Sequence, residues 1–246
     1  MKHRDCETNI AHSFLVIQGI LYVIFLAFDI TGRFARLSTS IKYIIIILCL
    51  LFTIYKWDNN HSWKRLCIRS AFLFTLFADY FLLLLDRHYF YGILLFIIVQ
   101  QIYGIKLDLH LRTNLKCKQL VLKVMYRLGW QMMATVIISN LLNHIGIITE
   151  RTIYASILYF ISFVANIIRA ISVARQQSME RSHYIFAFGM ILFILCDINV
   201  AIYNLSDYLP LTFHMEKILH SFSSILMWAF YAPSQVLIAL SIRDYR

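Results

Sequence analysis

The chain has 246 residues, of which 60% are hydrophobic and only 15% charged, with a net charge of +10. A soluble domain carries about 25% charged residues, so this composition excludes an ordinary water-soluble fold and indicates an integral membrane protein. The five cysteines (6, 49, 67, 117, 196) show no CxxC spacing, which argues against a disulfide framework and a zinc site. The seven glycines leave no GxGxxG, GxxxxGK[ST] or GxSxG loop for nucleotide binding or serine acyl transfer.

A helix crosses hydrocarbon with about 20 mostly apolar residues, and the sequence offers eight such stretches in order. The first, 13–31, follows MKHRDCETNIAH; its apolar run exceeds a secretory h-region and no small-residue cleavage site follows, so it reads as a span. The second covers 40–56. The third, 66–85, holds Asp79 inside SAFLFTLFADYFLLLLDRHYF, with Thr75 on the same helical face. The fourth, 89–107, lines up Gly92, Phe96, Gln100 and Tyr103 at three- and four-residue spacing. Spans five and six cover 122–142 and 151–173. The seventh, 184–203, carries Asp197 with Ala201 and Asn204 on its face. The eighth, 217–242, aligns Ser224, Trp228, Tyr231 and Gln235, and Pro233 is expected to bend it. The connections are short and poor in Pro, Gly and Ser. Residues 1–246 therefore read as one domain, an all-α polytopic membrane protein built as a single bundle of eight transmembrane helices.

Charge placement sets the expected topology. Of the 23 Lys and Arg, 17 fall on the side that receives both termini and 6 on the other. By the positive-inside rule both termini are expected to be cytoplasmic, in the inner membrane of a bacterium or the endoplasmic reticulum of a eukaryote. The run KLDLHLRTNLKCKQLVLKVMYR (106–127) reads as the main cytoplasmic basic loop. No aromatic-interleaved basic patch accompanies it, so no nucleic-acid partner is expected. The nine histidines fall in loops or near span ends and none forms HExxH, so neither metal nor other cofactor is expected.

An ionised aspartate at the centre of a transmembrane helix costs at least ~2.5–3.5 kcal/mol, and the default reading of such a residue is functional. Asp79 and Asp197 are each the 14th residue of their spans, and both spans run in the same direction, so two carboxyls are expected at similar depth. Asp29 and Asp86 stand near span ends and are expected to be interfacial. Gln100, Gln101, Asn166 and Asn199, taken singly, read as interhelical hydrogen-bonding groups worth about 0.6–2 kcal/mol each.

TLFADYFLLL, FYGILLFIIVQQIYGI, GMILFILCDINVAI and FYAPSQVLIALS, in spans 3, 4, 7 and 8, resemble the YhhN/TMEM86 family of eight-span membrane proteins, whose characterised members are lysoplasmalogenases. The family's Ser-x-x-Gly-Asp resembles the stretch from Thr75 to Asp79, its Phe-x-x-x-His-x-x-Tyr resembles Phe96, Gln100 and Tyr103, and its Ser-Asp resembles Cys196-Asp197. Ala78 for glycine and Cys196 for serine keep a small side chain. Gln100 replaces a histidine and cannot titrate.

The resemblance implies hydrolysis of the vinyl ether of a lysophospholipid drawn from the membrane lipids, releasing a fatty aldehyde and a glycerophospho-alcohol. Protonating the double bond makes an oxocarbenium ion that water attacks, and two carboxyls suit this chemistry as they suit glycosidases. Asp79 and Asp197 are the expected acid and anion, with either order of the two roles open. Thr75, Gln100, Tyr103, Tyr231, Gln235 and Asn199 are the expected substrate-positioning groups. The competing expectation is a lipid transporter or proton-coupled carrier in which the aspartates relay protons.

Overall fold

The computed structural model describes residues 2–55, 63–85, 87–111, 117–146, 148–176, 180–204 and 213–243. Among them there is no strand, and the helices are α1 (Lys2–Thr31), α2 (Ala35–Ile54), α3 (Trp63–Asp79), α4 (Tyr89–Leu111), α5 (Cys117–His144), α6 (Arg151–Gln176), α7 (Arg181–Tyr203) and α8 (Phe213–Leu240). A π-helical turn, Tyr80–Leu84, continues α3. The interfacial reading of Asp86 falls outside the described residues.

Helices α3, α5 and α6 pack around α4, and α7 and α8 form the most extensively packed pair. Their interior is aromatic, with Phe72, Tyr103, Phe163, Phe186 and Phe193 fully buried. Gly92 allows α4 to close on the π turn, since a Cβ there would run into the Leu82 side chain.

Seven of the helices are long and apolar enough to cross a membrane; α5 is not among them. Its mean hydropathy is low because of one stripe, Arg127, Gln131, Thr135 and Ser139, all buried and four residues apart. The opposite surface of α5 is apolar and exposed, with Leu122, Met125, Met132, Met133, Val136 and Ile137. Polar residues facing protein and apolar residues facing outward suit a helix in lipid, where neighbouring helices supply the hydrogen bonds.

That stripe meets a network on α4 and α6. Arg127 Nε donates to Gln101 Oε1 at 2.9 Å and Nη1 to Asp108 Oδ2 at 3.0 Å. Arg169 Nη2 reaches Asp108 Oδ1 at 2.5 Å, and Lys123 Nζ lies 3.6 Å from the same oxygen. The Gln101 amide and the Ser162 hydroxyl both donate to Gln131 Oε1 at 3.0 Å. Gly104 makes this possible: a Cβ at that position would overlap the Arg127 guanidinium.

Two sequence expectations are corrected here. The run 106–127 is mostly helix, because α4 continues to Leu111 and α5 starts at Cys117, and Lys106, Asp108 and Arg127 are buried in it. Residues 2–12 belong to α1, which starts at Lys2.

Pro233, inside α8, has no N–H to offer the carbonyl four residues back, Ala229. The Tyr22 hydroxyl of α1 donates to that carbonyl at 3.0 Å. This bond ties α1 to α8 beside the polar interior. Tyr22→Phe is expected to destabilise the protein by about 1–3 kcal/mol, since it strands the Ala229 oxygen. Thermal unfolding of the purified protein in detergent checks this, and an unchanged midpoint would contradict it.

Candidate active site

Asp79 is the last residue of α3 before the π turn, whose register is marked by the Leu85 N–H bonding to the Tyr80 carbonyl at 3.0 Å. Such single-turn π segments recur at functional sites. Asp79 lies 16 residues after the first residue of α3, Asp197 lies 16 after the first of α7, and both therefore stand about 24 Å along their helices. The expected equal register is present. The expected central placement is not: Asp79 is 5 residues from the end of the π turn and Asp197 is 6 from the end of α7, so both carboxyls lie toward the end of the bundle opposite the N-terminus.

Each carboxyl has a phenol. The Tyr231 hydroxyl of α8 donates to Asp79 Oδ2 at 2.7 Å, and the Tyr159 hydroxyl of α6 donates to Asp197 Oδ2 at 2.6 Å. Among the described residues no group donates to either Oδ1, which leaves one oxygen of each carboxyl for proton, water or substrate. Asp79 is buried, and Asp197 is half-buried. The Phe193 ring joins the two pairs, lying 5.4 Å from the Tyr231 ring and 5.8 Å from that of Phe96, which is 5.9 Å from Tyr159.

Thr75 stands one turn before Asp79, fully buried, with its hydroxyl unbonded among the described residues. Gln235, one turn beyond Tyr231, places its amide nitrogen 3.4 Å from the Ser234 hydroxyl and leaves Oε1 unbonded. Gln100 accepts from the Asn166 amide at both its backbone carbonyl, 2.7 Å, and its side-chain oxygen, 3.1 Å. Its own amide nitrogen, Asn166 Oδ1 and the Tyr103 hydroxyl lack partners among the described residues. A buried unsatisfied polar group costs about 1–3 kcal/mol, so these atoms keep hydrogen-bonding capacity in the interior. Asn199 is placed differently. It follows Asp197 by two residues, about 200° around the helix, and its amide closes on the Leu195 carbonyl at 2.7 Å.

Tyr159 was not among the expected site residues, because a tyrosine in an apolar span is commonly a packing residue. A signal existed: Tyr159, Ser162 and Asn166 recur at three- and four-residue spacing on α6, and Ser162 and Asn166 are buried. Asp29 stands two residues before the end of α1. It forms an ion pair with Lys42 at 2.8 Å and accepts from the Ser38 hydroxyl at 2.6 Å.

Two of the histidines near helix ends come together. Ligand atoms of His110, Glu180 and His183 lie within 4.8 Å of one another, the one grouping of three metal-capable side chains among the described residues. They stand at the far end of the bundle, since His183 precedes Asp197 by 14 residues, about 21 Å of helix. The buried Lys106 lies one turn before His110, and its positive charge opposes a cation there.

Neither a curated protein nor a solved structure matches the chain. The family model described as the YhhN family matches residues 37–242, a stretch that includes both aspartates, both tyrosines and the α4 glutamine. Because that match covers most of the sequence and all of these site residues, the chain belongs to the YhhN family.

Proposed function

We propose that this protein is an intramembrane hydrolase that cleaves the vinyl ether of lysoplasmalogens, giving a fatty aldehyde and a glycerophospho-alcohol. The observation that carries the reading is the pair of interior carboxyls at equal helical register, each held by one phenol and each with one oxygen uncommitted. Asp79, the more deeply buried, gives its proton to the carbon–carbon double bond. Asp197 faces the resulting oxocarbenium ion as an anion and aligns the water that adds to it, a division of labour that two carboxyls also perform in glycosidases. The hemiacetal so formed collapses to aldehyde and alcohol, and the proton released by water returns to the pair. Tyr231 and Tyr159 fix which oxygen of each carboxyl reacts. Thr75, Gln235, Gln100 and Tyr103 offer hydrogen bonds to the ether, the glycerol and the water.

The excess of Lys and Arg at the end that holds both termini supports a cytosolic location for that end. The reaction then takes place nearer the opposite face.

One observation favours a second reading. Gln100, Tyr103, Lys106 and His110 run along one face of α4, starting about 8 Å deeper in the bundle than the aspartates and continuing toward the opposite end, and all are buried. A polar column of this kind suits a proton-coupled carrier. Incubating the purified protein in detergent with a lysoplasmalogen separates the two. Free fatty aldehyde is expected; intact substrate in detergent, together with its passage across a proteoliposome membrane, would establish the carrier instead. The 1-acyl lysophospholipid of the same headgroup is expected to remain uncleaved, because the site holds no nucleophile or oxyanion hole.

A further inference from the structure

Lys42 lies well inside α2 yet is only 8% exposed, and its partner is Asp29 of α1, whose side chain is 15% exposed. A buried ion pair is weak evidence for stability, since an apolar pair of similar volume often serves as well or better. Its retention in a bundle this apolar therefore calls for another role. Ser38 fixes Asp29 from the other oxygen, so the carboxylate is oriented and the Lys42 ammonium points away from lipid.

The position of that ammonium is informative. Lys42 is 7 residues from the start of α2, while Asp79 and Asp197 are 5 and 6 residues from the ends of their segments at the same face of the bundle. At 1.5 Å per residue all three stand about 8–11 Å in from that face. Lys42 Nζ lies 4.8 Å from the centre of the Trp228 ring, Trp228 packs edge-on at 5.3 Å against Tyr231, and Tyr231 holds Asp79. The buried ammonium, its half-buried carboxylate partner and the candidate acid thus lie toward the same face of the bundle, connected through two aromatic rings on α8.

From this we infer that Lys42 and Asp29 form a headgroup subsite for a zwitterionic lysophospholipid, Lys42 binding the phosphate and Asp29 the headgroup ammonium. The inference rests on the hydrolase reading, and it adds the residues that recognise the polar end of the substrate. The electrostatics favour an exchange of partners. A resting Lys–Asp pair is replaced by two pairs of the same kind, phosphate on lysine and ammonium on aspartate, so no buried charge is left uncompensated at any stage, which would otherwise be costly. In the substrate one glycerol separates phosphate from ether, roughly 7 Å, the reach of two residues of extended chain. Subsite and carboxyls lying toward the same face of the bundle, bridged by Trp228 and Tyr231, suit a spacer of that length.

The test uses the saturated 1-O-alkyl lysophosphoethanolamine, which has no double bond to protonate and so reports binding whether or not the protein is a hydrolase. Binding to the purified full-length protein is measured by calorimetry in detergent. Lys42→Met is expected to weaken binding at least tenfold, and Lys42→Arg to recover most of it. Asp29→Asn is expected to weaken the ethanolamine lipid while sparing the 1-O-alkyl lysophosphatidate, which has no ammonium. The double variant Lys42→Met/Asp29→Asn, which leaves no lone buried charge, keeps the test valid if a single variant folds poorly; it too is expected to lose the ethanolamine lipid. Undiminished binding in Lys42→Met or in the double variant would overturn the subsite, as would a wild-type protein that binds neither lipid. A wild type that binds the ether lipid with this mutational pattern, but releases no aldehyde from the vinyl ether, would retain the subsite and refute the hydrolase.

Discussion

Asp79→Asn and Asp197→Asn are each expected, on the proposed hydrolase function, to lower turnover of a lysoplasmalogen by about 10²–10⁴-fold, the usual loss when a principal acid or base is removed. Asparagine keeps the volume and still accepts the 2.7 Å or 2.6 Å phenol hydrogen bond through its carbonyl oxygen, so the fold is expected to survive. What disappears is the transferable proton at one position and the negative charge at the other. Aldehyde release by the purified variants, set beside their thermal midpoints, measures this. Activity above a tenth of wild type in either variant, with the protein folded, would remove that aspartate from the chemistry.

Asp108→Ala is expected to produce the largest loss of stability, about 3–5 kcal/mol, the cost of leaving buried charges without their partner. Asp108 is the single carboxylate shared by Arg127, Arg169 and Lys123, so its removal leaves the buried Arg127 guanidinium with only the Gln101 oxygens. The loss falls on the packing of α5 and α6 against α4, far from Asp79. Thermal unfolding in detergent should show a marked drop in midpoint, and limited proteolysis should begin within α5. A midpoint within the error of wild type would mean that the network contributes nothing.

Apolar run length was enough to locate seven of the helices to within a turn or two at each end, since hydrocarbon thickness fixes span length, while α1 begins eleven residues before its expected span. The two aspartates were legible for the opposite reason: a charge in an apolar run is expensive, so its presence carries information. α5 shows where averaging fails. Arg127, Gln131, Thr135 and Ser139 lower its hydropathy, yet their four-residue spacing puts them all on the protein side, and a mean over a window discards direction. Counting Lys and Arg for topology hid other facts in the same way. Lys42 and Lys106 entered the count as surface charges and are buried, one in an ion pair with Asp29 and the other with its ammonium 3.3 Å from the centre of the Phe186 ring. Pairings across helices, Tyr159 with Asp197 and Tyr231 with Asp79, span 38 and 152 residues, and helical periodicity says nothing about contacts between helices. The π turn after Asp79 left no sequence signal at all.

The central claim is that a buried carboxyl protonates carbon, and the product made in heavy water tests it most directly. Protein exchanged into heavy water is given a lysoplasmalogen, and the fatty aldehyde from the earliest turnovers is examined by mass spectrometry. Unlabelled aldehyde incubated in the same buffer serves to subtract enolisation. The account predicts one deuterium on the carbon next to the aldehyde in every product molecule, together with a slower rate than in ordinary water, because proton transfer to carbon is the slow step. Aldehyde released without that deuterium would contradict it.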